Sequence, residues 1–217
     1  MKRRKIIVLI TLAMALFFIG ALAVYSHHYL SKSFVFDKEA SIFLGNEDAK
    51  VKLVLFEDFQ CSRCQNFSKQ ILPQIESHYV DLGIASFEIV PLPLFPGSRA
   101  LTNAALAIFH DAPDSLFPFL EQSAKKFPKT AVTKKALLEI ARKVGGVNLD
   151  KIAECIKEKC YYHNINNNLR KTRSIMKKTI LVPTLYINGV ETSVSSFEMI
   201  SEQIENLISN QGHHETL

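Results

Sequence analysis

A chain of 217 residues, 47% hydrophobic and 22% charged, is long enough for one domain, or one domain with an insertion, around a sizeable core, and this composition excludes a disordered, repetitive or low-complexity protein. The formal net charge of +5 overstates the basicity, because Lys2, Arg3, Arg4 and Lys5 supply four of the 26 basic residues and leave 22 against 21 acidic ones. A nucleic-acid or general polyanion-binding role therefore has little support.

Residues 1–24 read as an export signal, a basic start followed by the almost wholly apolar run Ile6 to Val24. At 1.5 Å per residue this run reaches roughly 28 Å, close to the hydrocarbon thickness of a bilayer, which favours a retained membrane anchor. Ala21-Leu22-Ala23, however, fits the small-x-small pattern of a cleaved signal peptide. Either way the basic residues stay inside and the rest faces outward, into a periplasmic or other extracytoplasmic compartment. Such a compartment is oxidising, and the four cysteines can there form two disulfides.

Ser33 to Phe36 is expected as a short edge strand, and Gly45-Asn46-Glu47-Asp48 as a turn leading into a strand at Val51. In that strand Val51, Leu53 and Leu55 alternate with Lys52 and Val54. After Gln60 the period changes, and Phe67, Ile71, Leu72 and Ile75 fall at helical spacing, so the spacing predicts a helix from Ser62 to about Tyr79, kinked at Pro73. Cys61 and Cys64 thus stand at a strand-to-helix corner, as a CxxC that opens the helix. Free N–H groups and the positive dipole end favour an anion there, so Cys61 is expected to exist partly as thiolate, with Arg63 as a second cationic influence. Cys64, one turn later, is placed to close a disulfide with Cys61, making a reversible two-electron unit.

Two plainer readings of the CxxC stand beside this one. A structural zinc site usually needs a second such pair, and the remaining cysteines, Cys155 and Cys160, lie about ninety residues away at CxxxxC spacing. Two inert buried thiols are the other reading, although a corner at the carboxyl end of a sheet is where α/β folds place their chemistry.

Ile84 to Val90 reads as a second strand, parallel to the first through a right-handed crossover, and Pro91, Pro93, Pro96 and Gly97 end it. From Ser98 to Lys178 the apolar spacing is helical throughout, with helices expected near 98–110, 114–126, 133–143, 149–159 and 162–178 and N-caps at Thr133 and Asn148. Arg170, Lys171, Arg173, Lys177 and Lys178 on the last of these read as a solvated face. Strand character returns at Leu181 to Ile187, Asn188-Gly189 is a hairpin turn, Val190 to Val194 pairs back, and a final helix runs from Ser195 or Ser196 to about Ser209. The fold class is α/β: a central mixed sheet with flanking helices, built from residues 33–97 and 179–210, and an all-helical insertion at 98–178.

Five positions apart on a continuous helix, Cys155 and Cys160 point to different faces, so bonding them requires the helix to end between them, which Tyr161-Tyr162 and the asparagines beyond permit. A structural disulfide is expected there, with free thiols as the alternative. The pairs His27-His28 and His213-His214 are terminal and stand apart from acids and cysteines, so no metal site is expected of them.

The chain resembles the DsbA-like branch of the thioredoxin-fold thiol:disulfide oxidoreductases over roughly residues 41–209. GNEDAKVKLVLFEDFQCSRCQNF resembles that family's approach to its active site, VPTLYING from Val182 to Gly189 resembles its cis-proline loop, and the helical block between them resembles its elaboration of the thioredoxin fold. The resemblance implies Cys61 as nucleophile, Cys64 as resolving cysteine, a cis Val182-Pro183 bond beside them, and a Val182 backbone that pairs with the substrate's extended chain. It implies no cofactor beyond the Cys61–Cys64 disulfide, reduced exported proteins as substrates, and a membrane redox partner that re-oxidises the protein. The sequence departs from the family at Ser62, where a proline is common, and at Leu55, where many relatives carry a buried acid. Glu57 on the same strand face is the candidate substitute, against the ordinary expectation that an acid at a strand end is solvated.

The leading reading is an exported oxidase. A reductase or isomerase of the same compartment is the first alternative, although residues 25–50 are too few for the dimerisation domain of such isomerases, which argues for a monomer. A non-catalytic binding or chaperone-like module on the same scaffold is the second.

Overall fold

The seven residues Val51–Glu57 form β2, the strand on which the sheet is centred: five of them are apolar, and all but Lys52 are buried on one face or the other. The computed structural model describes residues 11–21, which are helical (α1), 34–127, 131–176 and 179–212, with side chains described to residue 209 in the last stretch. Five strands lie in the order β1-β3-β2-β4-β5, with β1 at Ile42–Gly45, β3 at Ala85–Pro91, β4 at Thr184–Ile187 and β5 at Val190–Thr192. β2 and β3 are parallel, and the other three pairings are antiparallel. The sheet is therefore mixed, as the sequence predicts.

Register sorts the side chains into two layers. Leu53 pairs with Phe87 and Ile187, and Leu55 with Ile89 and Leu185, so these residues share the face that carries the main core. Val54, Phe56, Val90 and Tyr186 share the other face, in a smaller cluster that also holds Cys61 and Cys64. Both cysteines thus sit where the second layer meets the end of β2.

The edge strand expected at Ser33 to Phe36 is not one: Ser33 lies outside the described residues, 34–36 are without strand structure, and the edge strand is Ile42–Gly45. The in-out-in pattern is real, with Val35 exposed and Phe36 buried, but it serves side-chain packing. Phe34 meets Tyr186 edge-on at 5.2 Å and Phe36 meets Phe56 at 5.4 Å, so the segment lies over the second layer and makes no ladder.

The helix predicted after the CxxC is interrupted at Ile71, two residues before Pro73, which has no N–H to donate back: α2 is Ser62–Gln70, α3 is Leu72–Ile75, and a π-helical turn follows at Glu76–Val80. Among the described residues, five α-helices stand between β3 and β4: α4 (Ser98–Asp111), α5 (Leu116–Lys126), α6 (Lys134–Val144), α7 (Leu149–Glu158) and α8 (Tyr162–Met176). Residues 101–108 of α4 are buried all round, as the middle of a block packed by α5, α6 and α7 requires. Thr133 accepts a hydrogen bond from Ala136 N, and Asn148 accepts one from Lys151 N, the two caps expected. Arg170, Lys171 and Arg173 are exposed, while Lys177 and Lys178 lie outside the described residues.

β4 starts three residues later than expected because Leu181, Val182 and Pro183 form a loop with a cis Val182-Pro183 bond. Asn188 and Gly189 both take positive φ, 47° and 82°, the conformation a two-residue hairpin turn needs. β5 ends at Thr192, short of Val194, and α9 (Phe197–Gly212) closes the chain's described part. Residues 11–21 are helical and exposed; the rest of the 6–24 segment and both histidine pairs lie outside the described residues. Among the described residues no helix is long and apolar enough to cross a membrane, and no group of His, Cys, Asp and Glu is placed to hold a metal ion.

Candidate active site

The chain leaves β2 at Glu57, turns at Asp58, and enters α2 at Ser62, which makes Cys61 the N-cap residue of that helix. Cys61 N donates to Asp58 O at 2.9 Å, and Gln65 N closes the first helical turn on Cys61 O at 3.0 Å. The Cys61 thiol points at the Val182 carbonyl, with Sγ 3.8 Å from the oxygen, and Arg63 reaches the same oxygen with Nη2 at 3.5 Å. The structure thus brings together Cys61, Cys64, Arg63, Val182 and Pro183, residues separated by about 120 positions in sequence. All four cysteines are unbonded here.

Cys61 and Cys64 have different surroundings. Cys61 lines a cavity of about 440 Å³ between the CxxC corner and the helical block, together with Phe59, Phe95, Leu101 and Phe127. Cys64 has no exposed surface. Its thiol is pushed far above the usual range, first by burial, then by the charge of Glu57, and the backbone of Asp58 only partly offsets this. The neighbouring Cys61 thiol raises it further.

Glu57 is not solvated. It is 2% exposed, facing α2, and among the described residues its side-chain partner is Ser68, whose hydroxyl donates to Oε2 at 3.1 Å. Burial pushes its carboxyl up to about 8, Asp58 adds to the rise, and the Ser68 bond works against it. Leu55, two residues earlier on the same face, is fully buried in the main core. The ionisable group at this level of the site is therefore Glu57.

Asp58 escaped the sequence reading, although it is the most heavily bonded side chain of the corner. Its Oδ1 accepts from Gln60 N at 2.8 Å and Ser98 Oγ at 2.6 Å, and its Oδ2 accepts from Leu94 N at 2.7 Å and Phe95 N at 3.0 Å. The bond to Gln60 is an Asx turn, legible in principle from an Asp before a tight corner; the other three come from far along the chain.

Cys155 and Cys160 lie away from this site. α7 ends at Glu158, and Lys159 takes the left-handed conformation at φ 57°, so Cys160 folds back with its N–H on Cys155 O at 3.2 Å. This is the helix ending that a bond between them requires. Burial and the adjacent Cys160 thiol push the Cys155 thiol up to about 12. Buried Asn103 holds the ending in place, donating to Cys155 O at 3.1 Å and accepting from Tyr161 N at 3.0 Å.

Comparison with known proteins agrees with this geometry. The family model described as Thioredoxin matches residues 37–206. Disulfide bond formation protein D of Bacillus subtilis is 28% identical over 169 residues, covering 75% of this chain and 74% of that protein. Probable disulfide bond formation protein D of Bacillus anthracis is 31% identical over 153 residues, covering 67% and 69%. The crystal structure of Chlamydia trachomatis DsbA superposes with a TM-score of 0.68 at 23% identity, over 87% of this chain and 97% of that one. A mixed five-stranded sheet, a CxxC opening the helix after its central strand, and a cis Val182-Pro183 bond whose Val182 carbonyl faces Cys61 stand in one chain with these matches, and the chain belongs to the thioredoxin family as a DsbA-like thiol:disulfide oxidoreductase.

Proposed function

We propose that this protein, acting outside the cytoplasm, introduces disulfides into reduced exported proteins by passing on a Cys61–Cys64 disulfide, with Cys61 as the sulfur that substrates attack. The observation that carries the assignment is the asymmetry of the pair: Cys61 lines an open cavity, whereas Cys64 is wholly buried beside Glu57. A substrate thiolate attacks Cys61 Sγ, the Cys61–Cys64 bond breaks, and Cys64 departs as a thiolate that takes up a proton. A second substrate thiolate then attacks the substrate sulfur of the mixed disulfide, and Cys61 leaves as a thiolate. The substrate has lost two electrons and two protons and gained a disulfide, and the protein is reduced.

Glu57 is the proton donor for Cys64 in this reading. It holds its proton up to about pH 8, in a place where a Cys64 thiolate is strongly disfavoured, and it takes the proton back when the disulfide is re-formed. The acid that the family commonly carries at the position of Leu55 is thereby supplied two residues later. Val182 presents main chain to the substrate, and Arg63 places a fixed positive charge at the Val182 carbonyl.

The disulfide is itself the redox carrier and no further cofactor is assigned. Re-oxidation needs a two-electron acceptor, which we assign to a membrane redox partner, with residues 6–24 anchoring a monomer near it. Residues 33–97 and 179–210 form the exchanging unit in this reading, residues 98–178 its helical insertion, and Cys155–Cys160 a structural disulfide.

Trapping tests the assignment. With Cys64→Ser, attack of Cys61 on a peptide disulfide stops at a mixed disulfide that mass spectrometry localises to Cys61; with Cys61→Ser, none accumulates. Cross-linking through Cys64 in place of Cys61 contradicts the proposal.

A further inference from the structure

Asp58 is fully buried and accepts four hydrogen bonds, one from Gln60 in the CxxC corner and three from a segment 36 to 40 residues further on. Its partners Leu94 and Phe95 belong to the proline-rich loop between β3 and α4, and Ser98 opens α4. Gln60 adds to the same tie, its Nε2 donating to Pro96 O at 2.7 Å and to Ser98 Oγ at 3.1 Å. A carboxylate that satisfies two adjacent backbone N–H groups fixes the loop's height above the corner, because moving it strands both donors. What the loop presents at that height is apolar and open: Leu94 is 38% and Phe95 47% exposed, and Phe95 forms a wall of the cavity that contains Cys61.

A polypeptide joined to Cys61 Sγ has nowhere to put its neighbouring residue except near this sulfur. Consecutive Cα atoms are about 3.8 Å apart, so the side chain next to the exchanging cysteine comes within reach of a cavity that holds the same sulfur. Phe59, Leu101 and Phe127 add apolar walls there, while Gln60, Ser62, Arg63, Gln65 and Ser123 make much of the remaining lining polar. Resting on the exchange reading above, we propose that Asp58 is a positioning residue for substrate: it clamps the Leu94–Phe95 loop to the CxxC corner as one wall of a pocket for a bulky apolar side chain flanking the substrate cysteine. Glu57 and Asp58, adjacent in sequence, then divide the work, one facing the proton of Cys64 and the other the shape of the substrate cleft.

The test uses the oxidised full chain and two reduced dithiol peptides that differ only in the residue beside the attacking cysteine, Phe or Ala. The wild type is expected to favour the Phe peptide by about tenfold in kcat/KM, carried by KM. In Asp58→Asn the new amide sets N–H groups against the loop's donors, and the Phe/Ala ratio falls toward one. Phe95→Ala, which keeps the backbone N–H on Asp58, removes the preference through the wall itself, and Ser98→Ala, which deletes the shortest of the four bonds, reduces it if the Asp58 variant does not fold. A merely structural role lowers both peptides together and leaves the ratio at its wild-type value, which overturns the proposal, as does a wild type that treats the peptides alike. Failure to oxidise either peptide counts against the exchange reading instead.

Discussion

Glu57 and Cys64 are both buried at the end of β2, near enough for a charge on Glu57 to drive the Cys64 thiol up, while burial and Asp58 raise Glu57 itself. Glu57 loses its proton at about 8, where the Cys64 thiol is still neutral. In the neutral range Glu57 thus carries the proton that a departing Cys64 needs.

Replacing Glu57 by Gln removes the titrating group and keeps an acceptor for Ser68. The expected result is a fall of about ten- to a hundredfold in the rate of disulfide transfer at neutral pH, with loss of the inflection near pH 8 in the pH–rate profile. An unchanged profile counts against Glu57 as the proton donor.

The same carboxyl couples stability to pH. The unfolded chain releases this proton near 4.5, while the folded chain keeps it to about 8, so between those values the folded state binds more protons. Its contribution is fully present below the lower value and is lost as pH rises through the window to the upper one, at about 1.4 kcal/mol for each pH unit crossed. Denaturant melts of the wild type are expected to lose stability across that window relative to Glu57→Gln, by a few kcal/mol at most. Parallel curves for the two proteins refute the coupling.

Cys155 and Cys160 are expected to be bonded to each other in the exported protein, because α7 ends between them and Cys160 folds back onto Cys155. Closing so short a loop stabilises by roughly 1–3 kcal/mol, and a double Ala variant should lose about that much. Peptide mapping without reduction decides the pairing. Recovery of either thiol alkylated in the native protein, or linked to Cys61 or Cys64, contradicts it.

Residues 6–24 are expected to remain attached to the mature protein, since the apolar run has spanning length. N-terminal sequencing of material from the membrane fraction checks this. A soluble chain beginning at Val24 identifies a cleaved signal peptide.

Strand β2, the CxxC-led helix, the five helices after β3 and the Asn188-Gly189 hairpin were legible because each is written in local periodicity, caps and turn residues. Phe34 and Phe36 misled because alternation marks a residue's facing and not its hydrogen-bond partner; their aromatic contacts with Tyr186 and Phe56 reach across more than 150 and about 20 positions respectively. The burial of Glu57 was hidden for a related reason, since whether the end of a strand is covered depends on where α2 lies over it. The role of Asp58 was not legible in the sequence, because three of its four bonds come from Leu94, Phe95 and Ser98, whose proximity only the fold creates.

The redox equilibrium of Cys61–Cys64 against glutathione, read by alkylation and mass spectrometry across a series of thiol-to-disulfide ratios, tests the central claim most directly. An oxidase must hand its disulfide to substrates, so its potential is expected to be clearly less negative than the roughly −270 mV of thioredoxin, with the reduced form already dominant in mildly reducing mixtures. A potential at or below that of thioredoxin makes the protein a reductase and contradicts the account.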